Sequence, residues 1–160
     1  MHRSTHFMLD LCTKRKLDNS KIIASAHLYL SILQGIDKIV KSSKSVLLIT
    51  NHHEAHQSFK ERWNNKDIKI ISIGKNQQRP SMSMEPDFLY QTHQQIPSNL
   101  EGTLCLIGAG PWSEIYCSFV KDRGGVAVDL GSGFDLIRGK RTRPIHQKLN
   151  ATYFDFVQKK

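Results

Sequence analysis

The sequence predicts an α/β fold, a three-layer sandwich in which helices cover both faces of a small, mainly parallel sheet of about four strands. Four short apolar runs have the length of strands, and helical patterns separate them. Strands that alternate with helices are joined by crossovers, which make neighbouring strands parallel. A chain of 160 residues with 39% hydrophobic residues suits one core. We therefore expect a single domain over residues 1–160, with helices over 1–44, an α/β core over 45–144 and a C-terminal helix over 145–160.

The first part of the chain has the spacing of helices. Apolar residues predict one helix over residues 5–17 and a clearer one over residues 20–43. Asn19 or Ser20 suits the N-cap of the second helix, because a short polar side chain can accept a bond from a free N–H group of the first turn. Gly35 weakens this helix, since glycine loses more backbone freedom on folding than other residues do.

The next segment alternates strand and helix. Residues 45–50 (SVLLIT) predict a short strand, and the polar cluster Asn51-His52-His53-Glu54 follows it. A helix is expected over about 54–63 and a second strand over 68–73. Residues 75–84 have no periodicity and predict a loop, and residues 85–95 suit a helix.

The segment 103–144 predicts a strand–helix–strand unit with polar loops. Residues 103–107 form an apolar run, and the glycine turn Gly108-Ala109-Gly110 follows. Pro111 suits the first helical position, and the helix then carries apolar residues at helical spacing up to Val120. Residues 126–130 predict a second buried strand, and a last helix is expected over about 147–158. Ligands of open parallel sheets bind at the ends of such strands, so a small-molecule site is expected there.

The glycine turn is a partial match to the dinucleotide-binding fingerprint G-x-G-x-x-G. Ser113 occupies the third glycine position, and Asp129 falls 19 residues after Gly110, where a carboxylate can accept hydrogen bonds from ribose hydroxyls. The alternative is that the two glycines only permit a tight turn between strand and helix. Pro111 also removes one N–H donor from the start of the helix.

Charge and cysteine content narrow the classes of partner. The net charge is +9, from 23 Lys and Arg against 14 Asp and Glu, which favours anionic partners. Nucleic acid is not favoured, because no binding motif is present and aromatic residues are not interleaved with the basic ones. Cys12, Cys105 and Cys117 lack metal-ligand spacing and fit reduced thiols. Without a signal peptide or an apolar run of membrane-spanning length, a cytoplasmic protein is expected.

A longer stretch resembles a known family. The run LIGAG…EIYC…VKDRGGVAVDLGSGFDLIRGKRTRP is similar to the C-terminal half of bacterial GT-D glycosyltransferase-like domains, with their pattern LVGAG-x-x-x-KIYC, K-x-x-GG-x-ALDIGS and D-x-W-x-G-x-x-TR. The similarity covers about 40 residues, and VLLITNHHEAH resembles the preceding strand more loosely. The resemblance implies a Rossmann-like fold and transfer of a sugar from a nucleotide-sugar donor to a glycan acceptor, in surface-glycan or glycoprotein assembly.

This sequence departs from the family pattern at several places. Such domains carry an acidic Asp-x-Glu element near the N-terminus that holds a divalent metal, whereas no D-x-D or D-x-E occurs in this chain. Leu136, Ile137 and Arg138 stand where the tryptophan of the pattern is expected, and Glu114 replaces a lysine. No metal ligand is therefore assigned, and dependence on Mn²⁺ or Mg²⁺ is not carried over.

These observations give a set of candidate site residues. The catalytic candidates are Asp135, Asp129 and His52. The candidates for binding the nucleotide-sugar donor are Gly108, Ala109, Gly110, Asp129, Ser132, Arg141 and Arg143. Guanidinium and ammonium groups of Arg138, Lys140, Arg141 and Arg143 can neutralise a leaving diphosphate without a metal. The alternatives are a solvated basic loop, and a structural Asp135 that caps a short helix or pairs with Arg138.

Three functions remain open at the level of sequence. The first is a glycosyltransferase of GT-D type, and the second is a nucleotide-binding or interaction module without turnover. The third is a basic protein associated with nucleic acid. A homodimer is compatible with the sequence, because a sheet of four strands is smaller than usual and small sheets often gain stability from dimerisation.

Overall fold

The computed structural model describes residues 28–73 and 86–149, and it confirms the predicted α/β fold with a small parallel sheet. The sheet has four strands in the order β2-β1-β3-β4, and every neighbouring pair is parallel. The strands are β1 (Ser45–Thr50), β2 (Asp67–Ser72), β3 (Thr103–Gly108) and β4 (Val126–Asp129).

The described residues contain seven α-helices. They are α1 (Leu28–Gln34), α2 (Ile36–Ser42), α3 (His53–Arg62), α4 (Pro86–Gln95), α5 (Ser113–Asp122), α6 (Gly133–Ile137) and α7 (Pro144–Gln147). A single 3₁₀ turn, Gly110–Trp112, leads into α5. No helix in the described part of the chain has the length and apolar character needed to cross a membrane.

Helices cover both faces of the sheet, because the side chains of β1 alternate between two hydrophobic clusters. Val46 and Leu48 pack into one cluster with side chains of α1, α2, α3 and α6. Leu47 and Ile49 pack into the other with α5 and the residues that follow α4. The central strands β1 and β3 are therefore apolar along almost their whole length, which is why they were recognisable as strands in the sequence.

The strand order creates a crevice between β1 and β3. The chain passes from β1 outward to β2 on one side, and from β3 outward to β4 on the other. The helix after β1 packs on one face and the helix after β3 packs on the opposite face. At such a switch point the two connections diverge from the carboxyl ends of the strands and leave space between them.

The structure corrects one predicted helix. Residues 20–43 were expected to form a continuous helix, but α1 ends at Gln34 and α2 begins at Ile36. Gly35 lies at the break, with φ −96° and ψ 5°, and its N–H donates to the carbonyl oxygens of Ser31 and Ile32. Glycine loses more backbone freedom than other residues when it is held in a helix, which favours a break at this position. Three predicted segments lie outside the described residues. They are the helix over 5–17, the first part of the second helix (residues 20–27) and the loop over 75–84.

The last part of the core also differs from expectation. The predicted strand over 126–130 is confirmed as β4, but its predicted burial was wrong, because β4 pairs with β3 alone among the described residues and Val126 is 61% exposed. The segment after β4 was expected to be a polar loop but contains α6 and α7. Of the helix predicted over 147–158, residue 147 is the last residue of α7 and residues 148 and 149 are not helical. Residues 150–158 lie outside the described residues.

Two of the three cysteines lie among the described residues, and both are free thiols. Cys105 is buried in β3, and burial raises the pKa of its thiol to about 12. Cys117 is half-buried on α5, and burial raises its pKa to about 11. A thiol with such a pKa is almost entirely protonated near neutral pH, so neither cysteine is an activated nucleophile.

Candidate functional site

A cleft of about 350 Å³ opens at the switch point, at the carboxyl ends of β1, β3 and β4. Its lining comes from the end of β1, the glycine turn after β3, the loop after β4 with α6, and the residue before α7. These residues are Asn51, His52, Gly108, Ala109, Gly110, Gly131, Ser132, Asp135 and Arg143. The polar loops that the sequence predicted after β3 and β4 therefore line the same cleft.

The glycine turn forms its wall of the cleft with bare backbone. A Cβ atom on Gly108 would lie 2.7 Å from Cε2 of Phe134 and closer still to Cδ2, so no larger residue fits there without a shift. Gly110 has φ +58°, in the left-handed region, and a Cβ atom there would meet nothing within 4 Å. Gly108 is thus required by packing, whereas Gly110 is favoured by its backbone conformation.

Ser113 connects the glycine turn to the loop after β4. The N–H of Ala109 donates to Ser113 Oγ over 3.1 Å, and the Ser113 hydroxyl donates to the carboxylate of Asp129. Asp129 Oδ1 also accepts from the N–H of Gly131 over 2.9 Å. Partial burial raises the pKa of Asp129, while the bonds from Ser113 and Gly131 oppose the rise. Asp129 therefore holds two loops of the cleft together.

His52 follows β1 and is contacted by Arg138, which in turn binds Glu54. Arg138 Nη1 lies 2.9 Å from His52 Nδ1, and Arg138 Nη2 donates to Glu54 Oε1 over 2.9 Å. Burial lowers the pKa of His52, and Arg138 and Lys140 lower it further, against the opposing carboxylates of Asp135 and Glu54. His52 is therefore neutral near pH 7.

Asp135 lies on the first turn of α6 and faces the cleft. Its Oδ2 accepts a short bond of 2.6 Å from the hydroxyl of Thr142, and its Oδ1 lies 3.9 Å from His52 Nε2. The N–H of Lys140 donates to the carbonyl oxygen of Asp135 over 2.8 Å, which folds the chain back after α6. Among the described residues that line the cleft, only Asp135 carries a carboxylate.

The residue Arg143 is positioned by a buried contact with the first described helix. Its N–H donates to His146 Nδ1 over 3.3 Å, and His146 Nε2 lies 2.8 Å from the hydroxyl of Tyr29. His146 is fully buried, and Tyr29 is buried as well. The start of α7, and with it the main chain of Arg143, is therefore fixed to α1.

We expect Tyr29→Phe to lower the free energy of unfolding by about 1 kcal/mol, because the buried bond to His146 is lost while the ring is kept. The measurement is urea unfolding followed by circular dichroism. Ser42→Ala is the control, since Ser42 Oγ donates to the carbonyl oxygen of Ile39 at an exposed position, where water replaces the bond. Equal stability losses in the two variants would contradict a structural role for the Tyr29–His146 contact.

Most of the predicted site residues come together. Those that line the cleft are His52, Gly108, Ala109, Gly110, Ser132, Asp135 and Arg143. Asp129 lies beside the cleft without lining it. Arg141 is exposed and also lies outside the lining, and Arg138 binds His52 and Glu54 rather than joining a diphosphate cradle.

Two lining residues, Asn51 and Gly131, were not among the predicted ones. Both lie close to strand ends, since Asn51 directly follows β1 and Gly131 comes two residues after the end of β4. Their position after a strand was the signal that could have found them. Within the described residues, the N–H groups of Gly110 and Ser132 meet no acceptor, so the cleft offers backbone donors to a ligand.

The described residues do not form a metal site. No three His, Cys, Asp or Glu side chains among them lie close enough together to hold a metal ion. In the cleft, Asp135 and His52 offer at most two such ligands, and Oδ2 of Asp135 already accepts from Thr142.

Comparisons of this chain with protein-family models, with curated proteins and with solved structures give no significant match. Function is therefore inferred from the chemistry of the cleft and from the sequence resemblance.

Proposed function

We propose that this chain binds a nucleoside-diphosphate sugar in the cleft and transfers the sugar to a hydroxyl group of an acceptor, as a glycosyltransferase of GT-D type. One observation carries the proposal. The bare glycine turn, Arg143 and Asp135 line a single cleft at the switch point of a parallel sheet. Open parallel sheets bind nucleotides at this place.

The phosphate groups are expected to lie against the glycine turn. The N–H groups of Gly110 and Ser132 are available there, and the turn leads into the ten-residue helix α5, whose N-terminal end favours negative charge. Arg143 can add a charge-assisted bond to a phosphate oxygen. Lys140 and Arg141 are exposed nearby in the chain and add positive potential.

Sugar transfer would then use Asp135 as the general base. The acceptor oxygen attacks the anomeric carbon, and the bond from that carbon to the diphosphate oxygen breaks. The leaving nucleoside diphosphate takes the electron pair, and its negative charge is stabilised by Arg143 and the backbone donors. The proton of the acceptor hydroxyl goes to the carboxylate of Asp135, which lines the cleft.

A nucleotide-binding module without turnover is the second candidate. It is favoured by the described cleft residues, which offer a single carboxylate and no metal-ligand cluster. Donor consumption separates the two functions, because a module without turnover binds the nucleotide and leaves the sugar bond intact.

The direct test is thermal-shift screening against UDP-, GDP- and CMP-sugars, with and without Mn²⁺. We expect one nucleotide class to raise the melting temperature without added metal, because binding stabilises the folded state by mass action. Release of free sugar or nucleoside diphosphate is then measured for that donor. If no nucleotide raises the melting temperature at millimolar concentration, the proposal is wrong.

Arg143→Ala is expected to weaken the binding of the matching nucleoside diphosphate by about tenfold or more, because a charge-assisted bond to phosphate is lost. Affinity for the nucleoside without phosphates should stay the same. Isothermal titration calorimetry measures both. Lys60→Ala is the control, since it removes one positive charge from an exposed position of α3 outside the cleft lining. Equal losses for nucleoside and nucleoside diphosphate would place the phosphates elsewhere.

A further inference from the structure

The contact between Arg138 and His52 fixes which ring nitrogen of His52 carries the hydrogen. Arginine has only N–H donors, so the Nδ1 atom that lies 2.9 Å from Arg138 Nη1 must be the acceptor. A neutral imidazole that accepts at Nδ1 carries its hydrogen on Nε2. Glu54 binds the other guanidinium nitrogen of Arg138 and holds it in this position.

The ring of His52 is fixed on its other sides as well. It stacks on Phe134, with ring centroids 6.0 Å apart and planes inclined by 30°. The backbone N–H of His52 donates to the hydroxyl oxygen of Thr50 over 3.3 Å, which holds the main chain that carries the ring. The charged groups that face the ring are Arg138 and Lys140 after α6, Asp135 on α6 and Glu54 on α3. Burial and the two cations together keep the ring neutral.

The resulting Nε2–H group and the carboxylate of Asp135 form a donor and acceptor pair in the cleft. Both residues line the cleft, and Nε2 lies 3.9 Å from Asp135 Oδ1. This distance is too long for a direct hydrogen bond. An oxygen atom placed about 2.8 Å from each would bridge them. Such an oxygen must accept a hydrogen from His52 and donate one to Asp135.

We propose that His52 and Asp135 form a subsite for one hydroxyl group of the ligand, with Arg138 as the positioning residue that selects the Nε2–H form of His52. The subsite rests on the proposed function and deepens it. A hydroxyl group can accept and donate at once, whereas an ether oxygen cannot donate and an ammonium group cannot accept. The pair therefore selects hydroxyl groups, and it points the hydrogen of the bound hydroxyl at the proposed base.

The first test uses the free protein and needs no ligand. Two-bond ¹H–¹⁵N correlation spectra of histidine-labelled protein distinguish the two neutral forms, and His52→Gln assigns the His52 signals. We expect the Nε2–H form in the native protein and in Arg138→Lys, which keeps a cationic donor. In Arg138→Met we expect a mixture of both forms and a raised pKa of His52. A native protein with hydrogen on Nδ1, or an Arg138→Met spectrum unchanged from the native one, would overturn the proposal.

The second test identifies the source of the hydroxyl. Three probes are added separately. UDP supplies the hydroxyls of ribose, and UDP-glucose adds those of the donor sugar. Methyl glucoside, added to the UDP-bound protein, supplies the hydroxyls of an acceptor. We expect the Nε2 signal of His52 to shift on one of these additions. The probe responsible should bind about tenfold or more weakly to Asp135→Ala. A shift of the Gly110 amide signal shows that a probe has bound in the cleft. If the probes shift this signal and none of them shifts the signal of His52 Nε2, the subsite is contradicted.

Failure of the subsite and failure of the proposed function have different signatures. If UDP, GDP and CMP and their sugars all fail to bind, the proposed function is wrong. Glucose added alone at high concentration then decides the subsite. Glucose must shift the NMR signal of His52 Nε2 in the native protein and leave that signal unchanged in Asp135→Ala. An equal shift in the two proteins would overturn the inference.

Discussion

Asp135→Asn is expected to lower the turnover of the sugar donor by a factor of about 10² to 10⁴, the range for removing a general base. The amide cannot take up the proton of the attacking hydroxyl, whereas its oxygen can still accept the bond that Thr142 donates to Asp135 Oδ2. The fold and the affinity for the nucleoside diphosphate should therefore change little. Donor turnover under saturating conditions and the dissociation constant of the nucleoside diphosphate are the two measurements.

Asp122→Asn is the matched control for this variant. Asp122 is the last residue of α5 and is exposed, and it does not line the cleft. The same chemical change there should leave turnover as it is in the native protein. If Asp135→Asn retained native turnover, Asp135 would not be the base. If it lost nucleotide binding to the same degree as turnover, Asp135 would be a binding residue only.

The sheet could be predicted from the sequence because its central strands are buried on both faces. Strands β1 and β3 appear as continuous apolar runs, and the predicted bounds agree with the observed ones within one residue. The edge strand β4 has the same type of sequence, so its exposure could not be foreseen. Which strand lies at an edge depends on strand order, and local hydrophobicity does not encode that order.

Helix α6 could not be predicted because it has five residues, too few to show a helical period. It is stabilised by packing, since Phe134, Leu136 and Ile137 are buried in the cluster on one face of the sheet. Tertiary contacts of this kind override weak local preference. The consequence for the site is direct, because α6 carries Asp135 into the cleft.

The contacts between side chains in the site also could not be predicted from local sequence patterns. His52 and Arg138 are 86 residues apart, and Tyr29 and His146 are 117 residues apart. The sequence placed His52, Asp135 and Arg143 after strand ends or in a basic segment, which was enough to bring them into one cleft. It could not show that Arg138 binds His52 and Glu54 instead of facing a phosphate, because that choice depends on side-chain geometry.

Gly108→Ala is expected to lower the free energy of unfolding by about 1–3 kcal/mol, the usual cost of overpacking a core. The added methyl group would lie 2.7 Å from Cε2 of the Phe134 ring and 3.3 Å from the Thr50 hydroxyl oxygen. Phe134 is fully buried, so its ring has little room to move away. Because the ring also stacks on His52, its displacement should shift the His52 signals described above. Urea unfolding and the histidine spectra measure the two effects.

Gly110→Ala and Gly124→Ala separate packing from backbone strain. Gly110 and Gly124 have φ of +58° and +80°, and a Cβ atom meets nothing within 4 Å at the first and only backbone atoms at 3.9 Å at the second. Each should therefore cost about 1 kcal/mol through its left-handed backbone alone. Of these two glycines, Gly110 lines the cleft and Gly124 does not, so Gly110→Ala should weaken nucleotide binding and Gly124→Ala should not. If the Phe134 ring is the obstacle to the added methyl group, Phe134→Leu should recover part of the stability that Gly108→Ala loses. The double variant would then lose less free energy of unfolding than the sum of the two single losses. Strictly additive losses would show that the ring is not the obstacle.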